Sequence, residues 1–580
     1  MSGFAISVTA SGKKQVLSDF APTTNSTGRY SLLGFHGCGI VDNSFVSNFE
    51  SAVESLRSTE LSPESLGIGL RGSIALLIRD LWHNRIFLLG DPFGACMIQQ
   101  FSTKGKDYYS SDLNSLKRLL SLESISLKKN VEYIMNIGLV GNGGLVESPY
   151  VGVSVLKPLE FVKFDTSGAQ VSSYPAALHP LTTTSNLDEA IEGFLNDLSL
   201  NLNAVHRNSS AVKISQITGG MDSRMVLGGL VTSDLQDGFR FFVGGDENSL
   251  DVKCARNLCH ELGLNMTHYT GVDRSISPAG VDELTWPLIE TNGVLNGSAD
   301  LGLSKNSNIV LSGGYGEILR SFYGKNRTPD LSSPISTFRQ IYGGYGLDNA
   351  NERGIWNRDF VDSKGTVLQG LIEASGNDGI RETAQLDYHY VSTRNRYFVG
   401  EVSRSMSRYV RRFDPLYSPH LLSILSHSSM ESRHNGELQI SILHRLSRDL
   451  VEIPFDTPRV SKTLASTMGI CLREPISKVA PKYDSLSNSM PVRPVGADPL
   501  PVSPQLKAQA LAINMPYHAL RDAEFARQRL REFSSGENAS LLSTYLNLPE
   551  LQKYLESPIK WKPQIRLLRR LGAHLAWFEL

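Results

Sequence analysis

The chain has 580 residues, too many for one hydrophobic core, so two or more large domains are expected. Its 41% hydrophobic and 20% charged residues exclude a disordered chain, and a formal net charge of -1 argues against nucleic-acid binding by bulk electrostatics. Cys38, Cys96, Cys254, Cys259 and Cys471 are scattered and lack CxxC spacing, which implies neither a disulfide framework nor a zinc site and fits a reducing compartment. Met1-Ser2-Gly3-Phe4 opens without the basic and apolar regions of a secretory signal, and no apolar run reaches membrane-spanning length. The expected location is the cytoplasm.

Residues 1–175 read as strand-rich. Ser73–Asp80 and Arg85–Gly90 are apolar runs around a turn-like Trp82-His83-Asn84, which predicts a hairpin. A third run, Ala95–Phe101, follows the turn Asp91-Pro92-Phe93-Gly94, and a helix through Leu116, Leu119 and Leu120 follows Tyr108–Ser111. More strands are expected between Tyr150 and Asp165, and the Ser-, Thr- and Pro-rich Gln170–Ser185 reads as an interdomain linker.

The texture then changes. Asn186–Val205 carries Leu187, Ile191, Phe194, Leu195 and Leu198 on one helical face, with Asn186 or Ser185 as cap. Strand, loop and helix follow at 211–217, 218–223 and 225–230, then strand 239–243, helix 250–262 and strand 308–311. Strands alternating with helices imply a parallel sheet whose ligands gather at the strands' carboxyl ends. Residues 320–455 read as helical, the prolines of 485–504 mark a linker, and 505–580 return to helix. Cys254 and Cys259 fall on one amphipathic helix and are expected in the core.

Ile217-Thr218-Gly219-Gly220-Met221-Asp222-Ser223 is the segment with the clearest chemistry. Its glycines let backbone approach an anion, the following helix points its positive end there, and Thr218 and Ser223 offer hydroxyl donors. Asp222 fits a phosphate site only if a Mg²⁺ ion lies between them. A helix-capping turn would carry the same residues without chemistry.

This loop resembles the PP-loop of the asparagine synthetase family, usually Ser-Gly-Gly-x-Asp-Ser, and three further segments resemble that family in order. They are Phe241–Gly244, Asp251 through His268, and Ser312-Gly313-Gly314-Tyr315-Gly316-Glu317, followed loosely by Arg412-Phe413-Asp414-Pro415-Leu416. The resemblance implies a fold of α+β and α/β parts: an Ntn-hydrolase-like β-sandwich at 1–175, a PP-loop, adenine nucleotide α-hydrolase-like parallel-sheet domain at 186–480, and a helical extension at 505–580. It implies ATP and Mg²⁺ as cofactors. Ile217, Val243, Gly244, Ser312 and Gly313 would line the adenosine; Thr218, Gly219, Gly220 and Ser223 would hold pyrophosphate; Asp222 and Glu317 would hold the metal, with Asp222, Glu317 and Ser223 catalytic. The implied reaction adenylates a carboxylate, which an amine then attacks.

Where the family places a lysine near the pyrophosphate, Asn435–Arg448 has none; Lys462 or Arg459 stands in the next loop. Arg85–Ser111 resembles the family's glutaminase domain, but position 2 is Ser2 and the glutamine-binding segments are not found, so a degenerate glutaminase is expected. The nitrogen then comes from ammonia or from a substrate amine, as in β-lactam synthetases and lasso-peptide macrolactam cyclases, which Ser312–Arg320 also resembles. Expected partners are therefore a carboxylate- and amine-bearing substrate, including a ribosomal peptide with its protease and leader-binding proteins, with no nucleic acid. A glutamine-hydrolysing asparagine synthetase and an inactive scaffold homologue are the alternatives.

Overall fold

In the computed structural model the described residues are 3–20, 28–178, 180–208, 211–244, 249–269, 281–282, 284–295, 308–323, 333–343, 354–407, 410–474, 503–513, 515, 517–559 and 562–580. Ser2 and most of the 485–504 linker lie outside them. The strands of the first part are β1 (Phe4–Thr9), β2 (Lys14–Ser18), β3 (Tyr30–Val41), β4 (Ser44–Val46), β5 (Arg71–Asp80), β6 (Arg85–Gly90), β7 (Gln99–Thr103), β8 (Lys106–Ser110), β9 (Val153–Val155), β10 (Glu160–Asp165) and β11 (Gly168–Ser173). They form two antiparallel sheets, ordered β2-β1-β8-β7-β9 and β11-β10-β6-β5-β3-β4.

Alternation along the strands decides the layering. Phe4, Ile6 and Val8 of β1 meet Leu33, Ala75, Leu77, Ile86 and Leu88 between the sheets. The opposite faces of β5 and β6, through Ile74, Leu76, Ile78, Phe87 and Leu89, pack on Phe49, Leu56 and Leu66 of the helices Phe49–Arg57 and Pro63–Ile68. Being covered on both faces explains why β5 reads as an unbroken apolar run rather than an alternating one. The helices Leu113–Ser121 and Val131–Val140 cover the other sheet, giving helix, sheet, sheet and helix layers.

Two expectations shift here. Strand β7 starts at Gln99, not Ala95, because the Ala95 and Cys96 amides turn back to donate to the Asp91 carboxylate at 2.9 and 2.8 Å. The expected linker begins with an ordered edge strand, since β11 pairs with β10 from Glu160↔Ser173 to Asp165↔Gly168. An edge strand needs backbone partners more than an apolar pattern, so its composition gave no signal.

Beyond 186 the helix Leu187–His206 is capped by Asn186, whose side chain accepts from the Glu189 amide at 2.9 Å. A parallel sheet follows, built from β12 (Lys213–Gln216), β13 (Arg240–Gly244), β14 (Met266–Tyr269), β15 (Ile309–Leu311) and β16 (Arg411–Phe413) in the order β14-β13-β12-β15-β16. The chain runs outward from β12 to β14, then returns to build β15 and β16 on the other side. The crevice between the carboxyl ends of β12 and β15 is therefore the topological switch point, where this class of sheet binds ligands. The helices Tyr517–Ser535 and Lys562–Glu579 pack on each other and reach back to Val131–Val140, where Leu571 lies over Gly138. No helix among the described residues is long and apolar enough to cross a membrane.

The seam between sandwich and parallel sheet is polar and specific. Arg396 donates to the carbonyls of Gly94 (3.1 Å) and Leu156. The Tyr417 hydroxyl donates to Asp91 at 2.8 Å and accepts from the Phe93 amide at 3.0 Å, inside the ring cluster Phe93–Tyr315–Tyr417. Burial pushes the Asp91 carboxyl up to about 6 despite these donors. Tyr417→Phe would orphan the Phe93 amide and remove a donor from Asp91, costing about 1–3 kcal/mol; urea unfolding should show a lower midpoint with an unchanged slope.

Candidate functional site

Gly220 opens the helix Met221–Thr232 in extended conformation and offers its first-turn amides no capping side chain. Around it the loop is bonded to itself and to its neighbours. The Thr218 amide donates to Ser223 Oγ (3.1 Å), the two hydroxyls lie 2.9 Å apart, and the Gly220 amide donates to Thr218 Oγ1 (3.2 Å). The Gly219 amide donates to Asp251 Oδ1 at 3.0 Å, so an oxyanion of the protein sits where the sequence reading places phosphate. An anion entering here must exchange with that carboxylate.

The loop after β15 closes directly on this turn. A Cβ on Gly313 would lie 2.8 Å from Asp222 Cβ and 2.9 Å from the Ser223 nitrogen, and one on Gly316 would lie 2.5 Å from Asp222 Oδ1. Only glycine allows this approach. Tyr315, between them, has φ 73°, a left-handed backbone that a bulky residue adopts only under constraint. Its buried ring stacks against Phe93 (5.7 Å) and meets Tyr417 (4.7 Å) edge-on, which supplies the constraint.

Asp222 and Glu317 are thereby brought together. Asp222 is only partly accessible; burial pushes its carboxyl up to about 6, with the Glu317 charge adding to this and the Arg320 and Arg459 charges opposing it. Glu317 accepts from Arg320 at 2.7 Å and from the Tyr390 hydroxyl. Burial and then the Glu317 charge push the Tyr390 phenol far up, so it acts as a donor. Tyr390 directly precedes a π-helical turn, Val391–Gly400, a rare element that is enriched at functional sites.

The remaining expected residues fall around this crevice. Ile217 is buried and its amide donates to the Phe242 carbonyl at 2.9 Å. Val243 is a core side chain, whereas Gly244 ends β13 in the open. Ser312 accepts from Arg412 at 3.1 Å, and Asp414 Oδ1 accepts from the Gly314 amide at 3.1 Å. Lys462 is exposed at the first turn of its helix, while Arg459 pairs with Asp456 (3.3 Å), whose side chain covers Gly219.

Several participants were not singled out from sequence. Gln439, in the helix Glu437–Leu446, which carries no lysine, donates to Asp222 Oδ1 and to the Gly316 carbonyl, both at 3.2 Å. Arg224 is fully buried and donates to the carbonyls of Leu450, Ile453 and Pro454, with its guanidinium over Phe455; this clamps the loop bearing Asp456 and Arg459. An arginine placed directly before the apolar run Met225–Val231 was the available signal.

The expected N-terminal nucleophile, Ser2, lies outside the described residues. Next to it, Gly3 lies against Asp112 and Ser115, and His36 Nδ1 stands 2.9 Å from Ser111 Oγ and 3.3 Å from Asp112 Oδ2. Burial would raise the Asp112 carboxyl, but the bond and charge of His36, with Arg404, hold it well below the usual carboxylate range. Because Ser111 and Asp112 meet the same imidazole nitrogen, they do not form a relay through the ring.

Asp222 and Glu317 are the side chains of the crevice whose chemistry suits a divalent cation. Mg²⁺ commonly takes one or two protein carboxylates and completes its shell with phosphate and water. Asp222 and Glu317 supply two carboxylates, and the charge of Glu317 acts on Asp222. Among the described residues no group of three or more His, Cys, Asp or Glu stands together.

No family model matches the chain, and no curated protein does. Among solved structures it is similar to the glutamine phosphoribosylpyrophosphate amidotransferase from B. subtilis complexed with ADP and GMP. That match has 10% identity over 83% of this chain and 93% of that one, with a TM-score of 0.18. A structure of the allosteric regulatory enzyme of purine biosynthesis matches at 10% identity over 84% and 94%, with a TM-score of 0.19. Scores this low carry no argument about this chain.

Proposed function

We propose that the chain is an ATP-dependent carbon–nitrogen ligase of the asparagine synthetase type, which adenylates a substrate carboxylate for attack by an amine. The observation that carries this reading is the closure of the 312–317 loop on the 217–223 turn at the switch point, with Asp222 beside Glu317. The uncapped first turn of Met221–Thr232 and the Thr218 and Ser223 hydroxyls then hold the phosphates. Asp222 and Glu317 would hold Mg²⁺, which when bound neutralises the phosphate charge that develops as pyrophosphate leaves. Ile217, Val243, Gly244, Ser312 and Gly313 border the adenosine position.

Arg459 takes the pyrophosphate-facing role for which sequence left two candidates. Its charge already acts on Asp222, whereas Lys462 projects from an exposed turn. Arg459→Ala is expected to slow the half-reaction about 10²-fold, and Lys462→Ala to leave it within about twofold. The nucleophile in this reading is an amine of the substrate itself, giving a lactam or macrolactam; a ribosomal peptide presented by its leader-binding protein and protease is the fitting substrate.

The test is exchange of labelled pyrophosphate into ATP, screened over carboxylic acids and short peptides. Exchange that requires one of these carboxylates supports the proposal. ATP binding without exchange for any of them counts against it and favours an inactive scaffold.

A further inference from the structure

A second cavity, of about 270 Å³, opens at the seam and is lined by no residue of either nucleotide-site loop. Its walls come from the β3–β4 turn, the segment around Leu61–Arg71, Leu178, the helix Leu187–His206 and His420. Its apolar lining is unusual for this protein: Leu61, Leu178 and Leu200 are 41%, 37% and 42% exposed, and all three face this one space. Exposed leucines that converge on a concavity mark a binding site rather than ordinary surface.

The polar side of the cavity has an uneven charge balance. Arg71 is buried and already committed, with NH1 at 2.5 Å from Asp197 and NH2 at 3.4 Å from Asn43 Oδ1. Asp197 also accepts from Ser418 at 2.6 Å. Asp42, held in the left-handed region (φ 45°) by the tight β3–β4 turn, has no hydrogen-bond or ion-pair partner among the described residues. Burial lowers the His420 imidazole, which leaves it neutral near pH 7. Among the residues that line the cavity two carboxylates stand against one guanidinium, and Asp42 is the one without a partner; Arg207 lies just outside, donating to the Asn43 carbonyl at 3.2 Å.

We propose that this cavity binds a small primary ammonium ion bearing an apolar chain, the ammonium on Asp42 and the chain along Leu61, Leu178 and Leu200. The volume corresponds to roughly nine waters at about 30 Å³ each, the size of a six- to eight-carbon alkylammonium. A carboxylate of the same length would meet Asp42 with like charge and is excluded.

Isothermal calorimetry on the full-length protein near neutral pH tests this, with n-hexylammonium chloride and sodium hexanoate as probes. The expected result is saturable one-site binding of hexylammonium and none of hexanoate. Asp42→Asn and Leu200→Asn, both at accessible positions, should each weaken hexylammonium about tenfold or more with unchanged circular dichroism. Asp222→Asn should leave it unchanged. Absence of saturable binding, equal binding of hexanoate, indifference to Asp42→Asn, or loss of binding in Asp222→Asn would each overturn the proposal.

Discussion

Asp222→Asn should abolish carboxylate-dependent pyrophosphate exchange, by about 10²-fold or more, and at the same time make the nucleotide-free protein harder to unfold. The two effects share one cause. In the folded chain the Asp222 carboxyl is pushed up to about 6 by burial and by Glu317, above the ordinary value near 4 that it regains on unfolding. The folded state therefore binds more protons than the unfolded one between about pH 4 and 6, so stability falls as pH rises through that window. Above it the ionised Asp222 costs about 2–3 kcal/mol, which the neutral asparagine does not. Thermal unfolding of the two proteins should coincide near pH 4 and separate towards pH 7, with the variant more stable. Equal stability at pH 7 would mean that Asp222 is not held against its ionisation.

The second large effect is steric. Gly316→Ala puts a methyl carbon 2.5 Å from Asp222 Oδ1, and Gly313→Ala puts one 2.9 Å from backbone at Asp222 and Ser223. Neither distance is tolerable, so the two loops must separate by a fraction of an ångström or Asp222 must rotate away. Overpacking of this kind costs about 1–3 kcal/mol, and a shift near 1 Å at a reacting centre costs about 10²-fold in rate. Both variants should still fold and bind nucleotide weakly while exchange falls about 10²-fold. Gly263→Ala, whose Cβ would meet nothing within 4 Å but whose φ of 65° disfavours alanine, separates backbone strain from loop contact: it should lose stability and keep its exchange rate. Near-native exchange in Gly316→Ala would contradict the contact.

How much of this was legible in sequence depends on what each element needed from it. Strands β5 and β6 were visible as apolar runs around a turn, the helix Leu187–His206 by its apolar face and its Asn186 cap, and the strand–turn–helix around Gly220 by its paired glycines. The parallel strands β14 and β16 carry Thr267 and His268, and Arg411 and Arg412, where β15 reads Ile-Val-Leu, so no apolar run marks them and their existence follows from pairing with β13 and β15. In the crevice, residues adjacent in sequence to the two loops could be read. Gln439 and Asp456 could not, because they come from other elements and meet Asp222 and Gly219 only through the fold. Tyr315 shows the same limit: its left-handed backbone asks for glycine, and the sequence alone does not reveal that Phe93 and Tyr417 hold a tyrosine there.

A ligase of this type must hold a metal-bound triphosphate in the crevice between β12 and β15. Anomalous diffraction from crystals grown with Mn²⁺ and α,β-methylene ATP tests this directly. The prediction is a manganese peak between the carboxylates of Asp222 and Glu317, with phosphates against the first turn of Met221–Thr232. A peak elsewhere, or nucleotide bound away from that turn with Asp251 still on the Gly219 amide, would contradict it.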